Sequence, residues 1–168
     1  MTSANLIPRL SPGVMHVLPT IQRDIRGLAA TPSFDSTTIM EIDVLPEHLL
    51  ILGGGYIGLE FAQLFRRLGS RVTIVQRSGQ LIQREDDDVA EAVTAILRED
   101  GIDVLLDTTT VHAATNPEGG VVLTIRDAQG ERQLAGSHLL VATGRTPNTE
   151  RLNLPATGVA CDDKGYIL

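Results

Sequence analysis

Hydrophobic residues recur with two different periods along the chain, and the way these periods alternate predicts a mixed α/β fold. The first apolar run, Leu49–Leu52, contains no polar residue, which is typical of a buried strand. Arg71–Gln76 predicts a second strand, and the right-handed crossover between such strands makes them parallel neighbours. Between them, apolar residues follow at helical spacing as far as Gly69, which would end a helix. These apolar positions are Ile57, Phe61, Leu64, Phe65 and Leu68.

The pattern continues with a second helix over Asp87–Asp100 and a third strand over Ile102–Leu106, separated by Gly101. Leu139–Ala142 is predicted as the last core strand. Before it come three β segments divided by turn sequences: Thr109–Ala114, Val121–Arg126 and Glu131–Leu134. The chain is therefore predicted to form a parallel sheet in which an antiparallel β-meander replaces one crossover helix.

The two ends of the chain carry weaker patterns. Residues 1–35 are rich in Pro, Ser and Thr and show no period, so we expect a weakly ordered arm or the remnant of a linker. Ser36–Val44 is predicted to form one short strand, which Pro46 separates from the first core strand. The main domain is predicted over residues 36–150, and residues 151–168 form a tail after it.

Composition and charge narrow the class of protein. With 168 residues, 42% of them hydrophobic, the chain can build one domain with a core. A net charge of −7 argues against non-specific binding to nucleic acid. We find neither a membrane span nor a signal peptide in the apolar pattern. Because Cys161 is the only cysteine, no internal disulfide can form, and a cytoplasmic location is expected.

The most specific chemical signal is the motif GGGYIG at residues 53–58, which lies between a predicted strand and a predicted helix. In such a motif Gly53 allows a tight turn, Gly55 lets the backbone approach a phosphate, and Gly58 lets helix and strand pack closely. The exposed N–H groups and the positive end of the helix dipole then bind the anion. We therefore predict a Rossmann-like, three-layer nucleotide-binding domain that binds a dinucleotide, with Ile57 also in its cofactor site.

The end of the second strand indicates which dinucleotide is bound. An NAD-binding domain usually has Asp or Glu there to bind the ribose hydroxyls. This chain has Gln76, followed by Arg77, with Arg84 further along the same loop. A neutral Gln does not repel a 2′-phosphate, and Arg offers donors matched to phosphate, so we favour NADP(H) over NAD(H). In the alternative, Gln76 bonds both ribose hydroxyls while the arginines face water.

No residue cluster in the sequence indicates catalysis or metal binding. The acidic run at residues 85–88 lacks the spacing of a calcium loop and suits the first turn of a helix. Cys161 lies outside any redox pair, and no nucleophile elbow is present. The histidines show no metal-ligand spacing; they are His16, His48, His112 and His138. We therefore predict no catalytic residue and no metal ligand on this chain.

Three segments together resemble the central NAD(P)H-binding domain of the FAD-dependent pyridine nucleotide–disulfide oxidoreductases. They are PEHLLILGGGYIGLE at residues 46–60, VQRS at residues 75–78 and ATGRTPN at residues 142–148. The segments Arg77-Ser78 and Arg84-Glu85-Asp86 are most similar to the mercuric reductase and dihydrolipoyl dehydrogenase-like branches. Glutathione reductase belongs to the same family.

The resemblance implies roles for three further residues. Tyr56 would shield the nicotinamide pocket and swing when the cofactor binds, Glu60 would face the flavin–nicotinamide region, and Gly144 would line the nicotinamide side. Without a flavin, Tyr56 would be an ordinary residue at the solvent edge and Glu60 a surface charge of the helix.

The chain also lacks features of that family. Its members begin with a second glycine motif that binds FAD, followed by a Cys-x4-Cys redox pair, and neither occurs here. In the family, residues 151–168 would lead back to an FAD domain. The resemblance therefore implies a domain that positions NADPH for hydride transfer to FAD but is incomplete as an enzyme and binds no FAD alone. Its partner would be a flavin-domain subunit or a second copy. The alternative is a stand-alone nucleotide-binding or sensing module without catalysis.

Overall fold

The computed structural model describes residues 25–168 except 118, 145, 146, 148, 150, 151 and 164. Residues 1–24 of the predicted arm and positions 145, 146 and 148 of the ATGRTPN motif thus lie outside the described residues. In chain order, the strands are β1 His48–Leu52, β2 Arg71–Val75, β3 Asp103–Leu105, β4 Thr109–Thr115, β5 Val121–Asp127, β6 Gly130–Gly136 and β7 His138–Val141. The helices are α1 Tyr56–Leu68 and α2 Asp87–Glu99.

The strands form two sheets, as the sequence predicts. Four parallel strands in the order β3-β2-β1-β7 make the central sheet, and β4-β5-β6 make an antiparallel meander. The chain leaves the central sheet after β3, passes through the meander and returns as β7. The prediction of a β-meander in place of a crossover helix is therefore confirmed.

The central sheet lies between the helices and the meander, and this arrangement gives three layers. Alternate residues of β1 point to opposite faces of the sheet. Leu49 belongs to the core shared with Phe65 of α1, whereas Leu50 belongs to the core shared with Leu123 of β5. All of β1 after His48 is buried, as expected for a parallel strand covered on both faces.

Local chemistry sets the ends of both helices. Gly69 has φ +107° at the C-terminus of α1, a conformation that L-residues with a side chain rarely adopt. In α2 the acidic residues Asp87 and Asp88 lie in the first turn, where the helix dipole favours negative charge. The last turn of α2 is tied to α1, because the Arg66 side chain donates a 2.8 Å hydrogen bond to the carbonyl of Asp100.

The strand predicted over Ser36–Val44 is wrong, since this segment contains the 3₁₀ turn Thr38–Glu41. The physical reason is the carboxylate of Asp35. It accepts 2.8 Å hydrogen bonds from the backbone N–H groups of residues 37 and 38, which satisfies donors at the start of a helical turn. A local side-chain cap therefore overrides the β pattern.

Residues 25–35, expected to belong to the arm, pack against both faces of the central sheet. Phe34 lies in the core on the helix side, whereas Ile25 and Leu28 lie in the core on the meander side. The Phe34 backbone also forms two hydrogen bonds of 2.8 Å with β7 and so extends the sheet at that edge. This segment consequently helps to hold the domain together.

Candidate functional site

The carboxyl ends of the four parallel strands meet at one edge of the central sheet, and the loops that follow them enclose a groove. In open α/β sheets, ligands bind outside this edge. The groove has a volume of about 580 Å³. Its lining consists of Ile25 and of residues 52–56, 75–78, 82–84, 108–110 and 142–144.

Most of the candidate residues from the sequence lie together in this groove. The residues that line it are Gly53, Gly55, Tyr56, Gln76, Arg77, Arg84 and Gly144. Three other candidates do not belong to the lining. Gly58 and Ile57 lie in the first turn of α1, where Gly58 is buried and Ile57 is half-buried, and Glu60 is exposed.

Gly53 makes the turn between β1 and α1 against the end of β7. Its φ of +103° is strained for any residue with a side chain. A Cβ atom at this position would lie 2.9 Å from the carbonyl oxygen of Ala142 and 2.8 Å from the methyl group of Thr143. The turn therefore lies against the residues that follow β7, and a side chain at this position would push the two loops apart.

The other motif glycines have separate roles. A Cβ atom on Gly58 would lie 2.3 Å from the carbonyl oxygen of Gly53, so α1 could not pack this closely on the turn with a larger residue. A Cβ atom on Gly54 would lie 2.4 Å from Leu81. By contrast, a Cβ atom on Gly55 would meet no described atom within 4 Å, and Gly55 is exposed. Gly55 thus opens the turn towards the groove.

The N-terminus of α1 gives this opening a positive potential. Gly55 is the residue before the first helical turn, and that turn contains no acidic side chain. The first N–H groups of an α-helix have no acceptor within the helix, and the helix dipole adds to their partial positive charge. The arrangement can bind an anionic group such as a phosphate.

Two arginines stand on the loop that follows β2. Arg77 and Arg84 are exposed and line the groove, and neither forms an ion pair with a residue that the structure describes. By contrast, Arg71, Arg126 and Arg132 are all paired with carboxylates. Unpaired guanidinium groups beside a helix N-terminus strengthen the attraction for an anion.

The side chain of Gln76, the candidate ribose reader, is bonded to protein groups at both ends. Its Oε1 accepts a 2.9 Å hydrogen bond from the N–H of Gly54. Its Nε2 donates to the hydroxyl of Ser78 and, at 3.0 Å, to the carbonyl of Gln80. Gln76 therefore connects the glycine turn with the loop that carries the arginines.

Sequence reasoning missed one wall of the groove, which is formed by residues 108–110. The N–H of Thr108 donates a 3.0 Å hydrogen bond to the carbonyl of Gln76, so this wall starts beside the arginine loop. The hydroxyl groups of Thr110 and Thr143 are buried and have no hydrogen-bond partner among the described residues. The position of these residues after β3 could have predicted this wall, because the loops at the carboxyl ends of parallel strands lie at the same edge of the sheet.

Outside the groove, the described part of the chain offers few groups that could bind a metal ion or take part in catalysis. No group of three or more His, Cys, Asp or Glu residues there could hold a metal ion. Cys161 is exposed with a free thiol. Among the described helices, none combines the length and apolar character that a membrane span requires.

Comparison with known proteins gives the family. Residues 11–168 match the family described as pyridine nucleotide-disulphide oxidoreductase. A mercuric reductase of Streptomyces lividans is 46% identical over 145 residues, which are 86% of this chain and 30% of the relative. The probable pyridine nucleotide-disulfide oxidoreductase RclA of Escherichia coli strain K12 is 38% identical over 160 residues, which are 95% of this chain and 34% of the relative.

Solved structures agree with this result. A Cu(II) complex of the HOCl-induced flavoprotein disulfide reductase RclA from Escherichia coli has a TM-score of 0.76 and 36% identity, covering 92% of this chain and 34% of that chain. LpdA from Mycobacterium tuberculosis has a TM-score of 0.65 and 28% identity, covering 79% of this chain and 28% of that chain. The chain thus spans about a third of the length of these relatives. Because the family match extends over nearly the whole chain and the fold agrees, the chain belongs to the pyridine nucleotide-disulphide oxidoreductase family, whose members depend on FAD and NAD(P)H.

Proposed function

We propose that this chain is the NADP(H)-binding domain of a flavin-dependent pyridine nucleotide–disulfide oxidoreductase and that it positions NADPH for hydride transfer to FAD. The observation that carries the proposal is one groove that combines a glycine turn, a helix N-terminus and two unpaired arginines. The chain would contribute binding and orientation, and the flavin and the redox-active groups would come from outside these residues.

The glycine turn fits a pyrophosphate. Gly55 leaves open space where a side chain would otherwise stand, and the first N–H groups of α1 surround that space. Gly53 and Gly58 are needed behind it, since a Cβ atom on either would collide with backbone atoms. The residues present therefore match a dinucleotide phosphate in size, charge and hydrogen-bond donors.

The arginine loop supports NADP(H) over NAD(H). Arg77 and Arg84 have no competing carboxylate partner among the described residues, so their donors are available to a 2′-phosphate. Gln76 is neutral and does not repel that phosphate, unlike the Asp or Glu that usually reads the ribose of NAD.

The nicotinamide would lie at the β7 end of the groove. Gly144 lines the groove with φ +86°, and Tyr56, the first residue of α1, lines it as well. When bound, NADPH supplies a hydride; Tyr56 would cover the nicotinamide pocket, and Glu60, exposed one turn further along α1, would face the flavin side.

Titration of the full chain with NADPH and with NADH, followed by nicotinamide fluorescence, tests the proposal. The wild type should bind NADPH more tightly, and Arg77→Glu should weaken NADPH about tenfold or more while NADH binding changes little, because a charge-assisted pair is lost. Arg67→Glu makes the same charge change on an exposed arginine outside the groove and should leave both affinities unchanged.

Three outcomes would overturn parts of the proposal. If the chain binds neither nucleotide, the domain assignment fails. If Arg77→Glu leaves the NADPH preference as it is, the phosphate assignment fails. If the purified chain binds FAD stoichiometrically and reduces disulfides with NADPH, it is a complete enzyme, and the limited role proposed here is wrong.

A further inference from the structure

The Gln76 side chain occupies the position where a dinucleotide-binding domain usually reads the ribose, yet its polar atoms face the protein. The hydrogen-bond pattern admits one orientation of the amide. Turning it over would put an NH₂ group against the N–H of Gly54 and an oxygen against the carbonyl of Gln80, so both contacts would become repulsive. Oε1 therefore belongs to the glycine turn and Nε2 to the loop.

Other contacts make the turn and the loop one unit. The N–H of Ile82 donates a 2.7 Å hydrogen bond to the carbonyl of Gly54, and Leu81, which is fully buried, packs against the same glycine. The Ser78 hydroxyl, which accepts from Gln76, donates at 3.0 Å to the carbonyl of Gln80. Gln76 is the side chain that closes this network, since it bonds both to the turn and to the middle of the loop.

The arginines depend on that loop for their position. Arg77 follows Gln76 directly, and Arg84 stands two residues after the Ile82 contact with the glycine turn. Both project from a segment that has no helix or strand of its own between β2 and α2. The hydrogen bonds of Gln76 therefore help to determine the positions of the two guanidinium groups relative to the N-terminus of α1.

We propose that Gln76 is a positioning residue: its amide locks the 76–84 loop to the glycine turn and so presets the distance between the pyrophosphate site and the arginines. It does not read the ribose. Arg77 and Arg84 then choose between NADP(H) and NAD(H), and Gln76 contributes to that choice only by carrying no charge. This inference rests on the proposed function for its nucleotide part, whereas the lock itself is a property of the nucleotide-free chain.

Two variants of Gln76 and one control test the hydrogen bonds of Oε1 and of Nε2 separately. Gln76→Met keeps the length of the side chain and removes both sets of hydrogen bonds. Gln76→Glu keeps an acceptor for the Gly54 N–H but cannot donate to the Gln80 carbonyl when ionised. Gln83→Met is the matched control, because Gln83 lies on the same loop, lines the groove and is exposed. Circular dichroism first establishes that each variant is folded.

Two measurements on the nucleotide-free protein test the lock. Amide hydrogen exchange at Gly54 should speed up in Gln76→Met but not in Gln76→Glu or Gln83→Met. Trypsin cleavage after Arg77 and Arg84, followed by mass spectrometry, should be about tenfold faster in both Gln76 variants, because two loop hydrogen bonds of ordinary strength are lost. Wild-type cleavage rates in both Gln76 variants would overturn the lock.

Nucleotide titrations then distinguish positioning from reading. In Gln76→Met, NADPH affinity should fall by a larger factor than NADH affinity, because only NADPH carries the 2′-phosphate that the positioned arginines would bind. A selective loss of NADH, with NADPH binding kept, would identify Gln76 as a ribose reader and overturn the inference. If the wild type binds neither nucleotide, the proposed function fails, and the proteolysis result still decides whether the lock exists.

Discussion

The hydroxyl group of Tyr56 donates a hydrogen bond to a carboxylate oxygen of Glu85 and joins the first residue of α1 to the loop before α2. This hydrogen bond is the main reason that the pKa of the Tyr56 phenol lies above its ordinary value. Arg84, which precedes Glu85, lines the same groove as Tyr56, and its charge acts on the Tyr56 phenol. The hydrogen bond therefore connects the start of α1 with the loop before α2, the two segments that a bound dinucleotide would contact.

Removing this bond with Tyr56→Phe should raise the affinity for NADPH about threefold. If the ring must leave its place when the nicotinamide binds, the bond to Glu85 favours the closed arrangement and lowers the apparent affinity by its own modest free energy. Fluorescence titration with NADPH measures the change. Tyr166→Phe, the same substitution at an exposed tyrosine near the end of the chain, is the control. An unchanged or weaker affinity in Tyr56→Phe would mean that the ring keeps this position in the complex.

Alanine substitutions at Gly55 and Gly69 should affect different properties, the first NADPH affinity and the second thermal stability. Gly55→Ala places a methyl group in open space at an ordinary φ of −85°, so the Tm should stay the same while NADPH affinity falls about tenfold or more through contact with the phosphate. Gly69→Ala has equally open surroundings, but φ is +107°. It should cost about 1–2 kcal/mol and leave the affinity unchanged. Thermal unfolding and titration of both variants check this; a lower Tm with intact binding in Gly55→Ala would contradict the assignment.

The sequence predicts those parts of the molecule that depend on local rules. The β1–α1–β2 unit can be predicted from the period of the apolar residues. The turn at Gly53 can be predicted from the motif, because the backbone geometry of such a turn requires glycine. The strand predicted over Ser36–Val44 failed because one carboxylate, at position 35, caps a helical turn. The role of Gln76 could not be predicted either, since it depends on where an irregular loop places the carbonyl of Gln80.

The contact between the two sheets can be tested at Leu50. This residue is fully buried on the meander side of the central sheet, and its side chain fills the space where a Cβ atom of Gly136 would stand. Leu50→Ala should lower the free energy of unfolding by about 2–5 kcal/mol, because the cavity cannot collapse between two sheets. Leu64→Ala removes the same atoms from a side chain that is 45% exposed and should cost less than about 1 kcal/mol. Urea unfolding followed by circular dichroism measures both; equal losses would mean that the sheets are not tightly packed.

Stability should also depend on pH through two histidines of the central sheet. Burial lowers the pKa of His48 and of His138 below the ordinary value of 6.5, and the Arg71 guanidinium adds to the shift at His48. His48 lies 2.9 Å from the Thr73 hydroxyl, and His138 stacks on Phe34 at 5.8 Å between ring centroids. Both imidazoles are thus held in surroundings that favour the neutral form.

The sign of the effect follows from proton linkage. Below pH 6.5 the unfolded chain takes up protons at these imidazoles that the folded chain resists, so the unfolded state carries more protons and the free energy of unfolding falls as the pH falls. The Tm should therefore drop between about pH 7.5 and pH 5.5, and the double variant His48→Gln, His138→Gln should show a smaller drop. Measurement at about pH 8, where both imidazoles are neutral in either state, gives the cost of the substitutions themselves. An equal drop in wild type and double variant would exclude these histidines as its source.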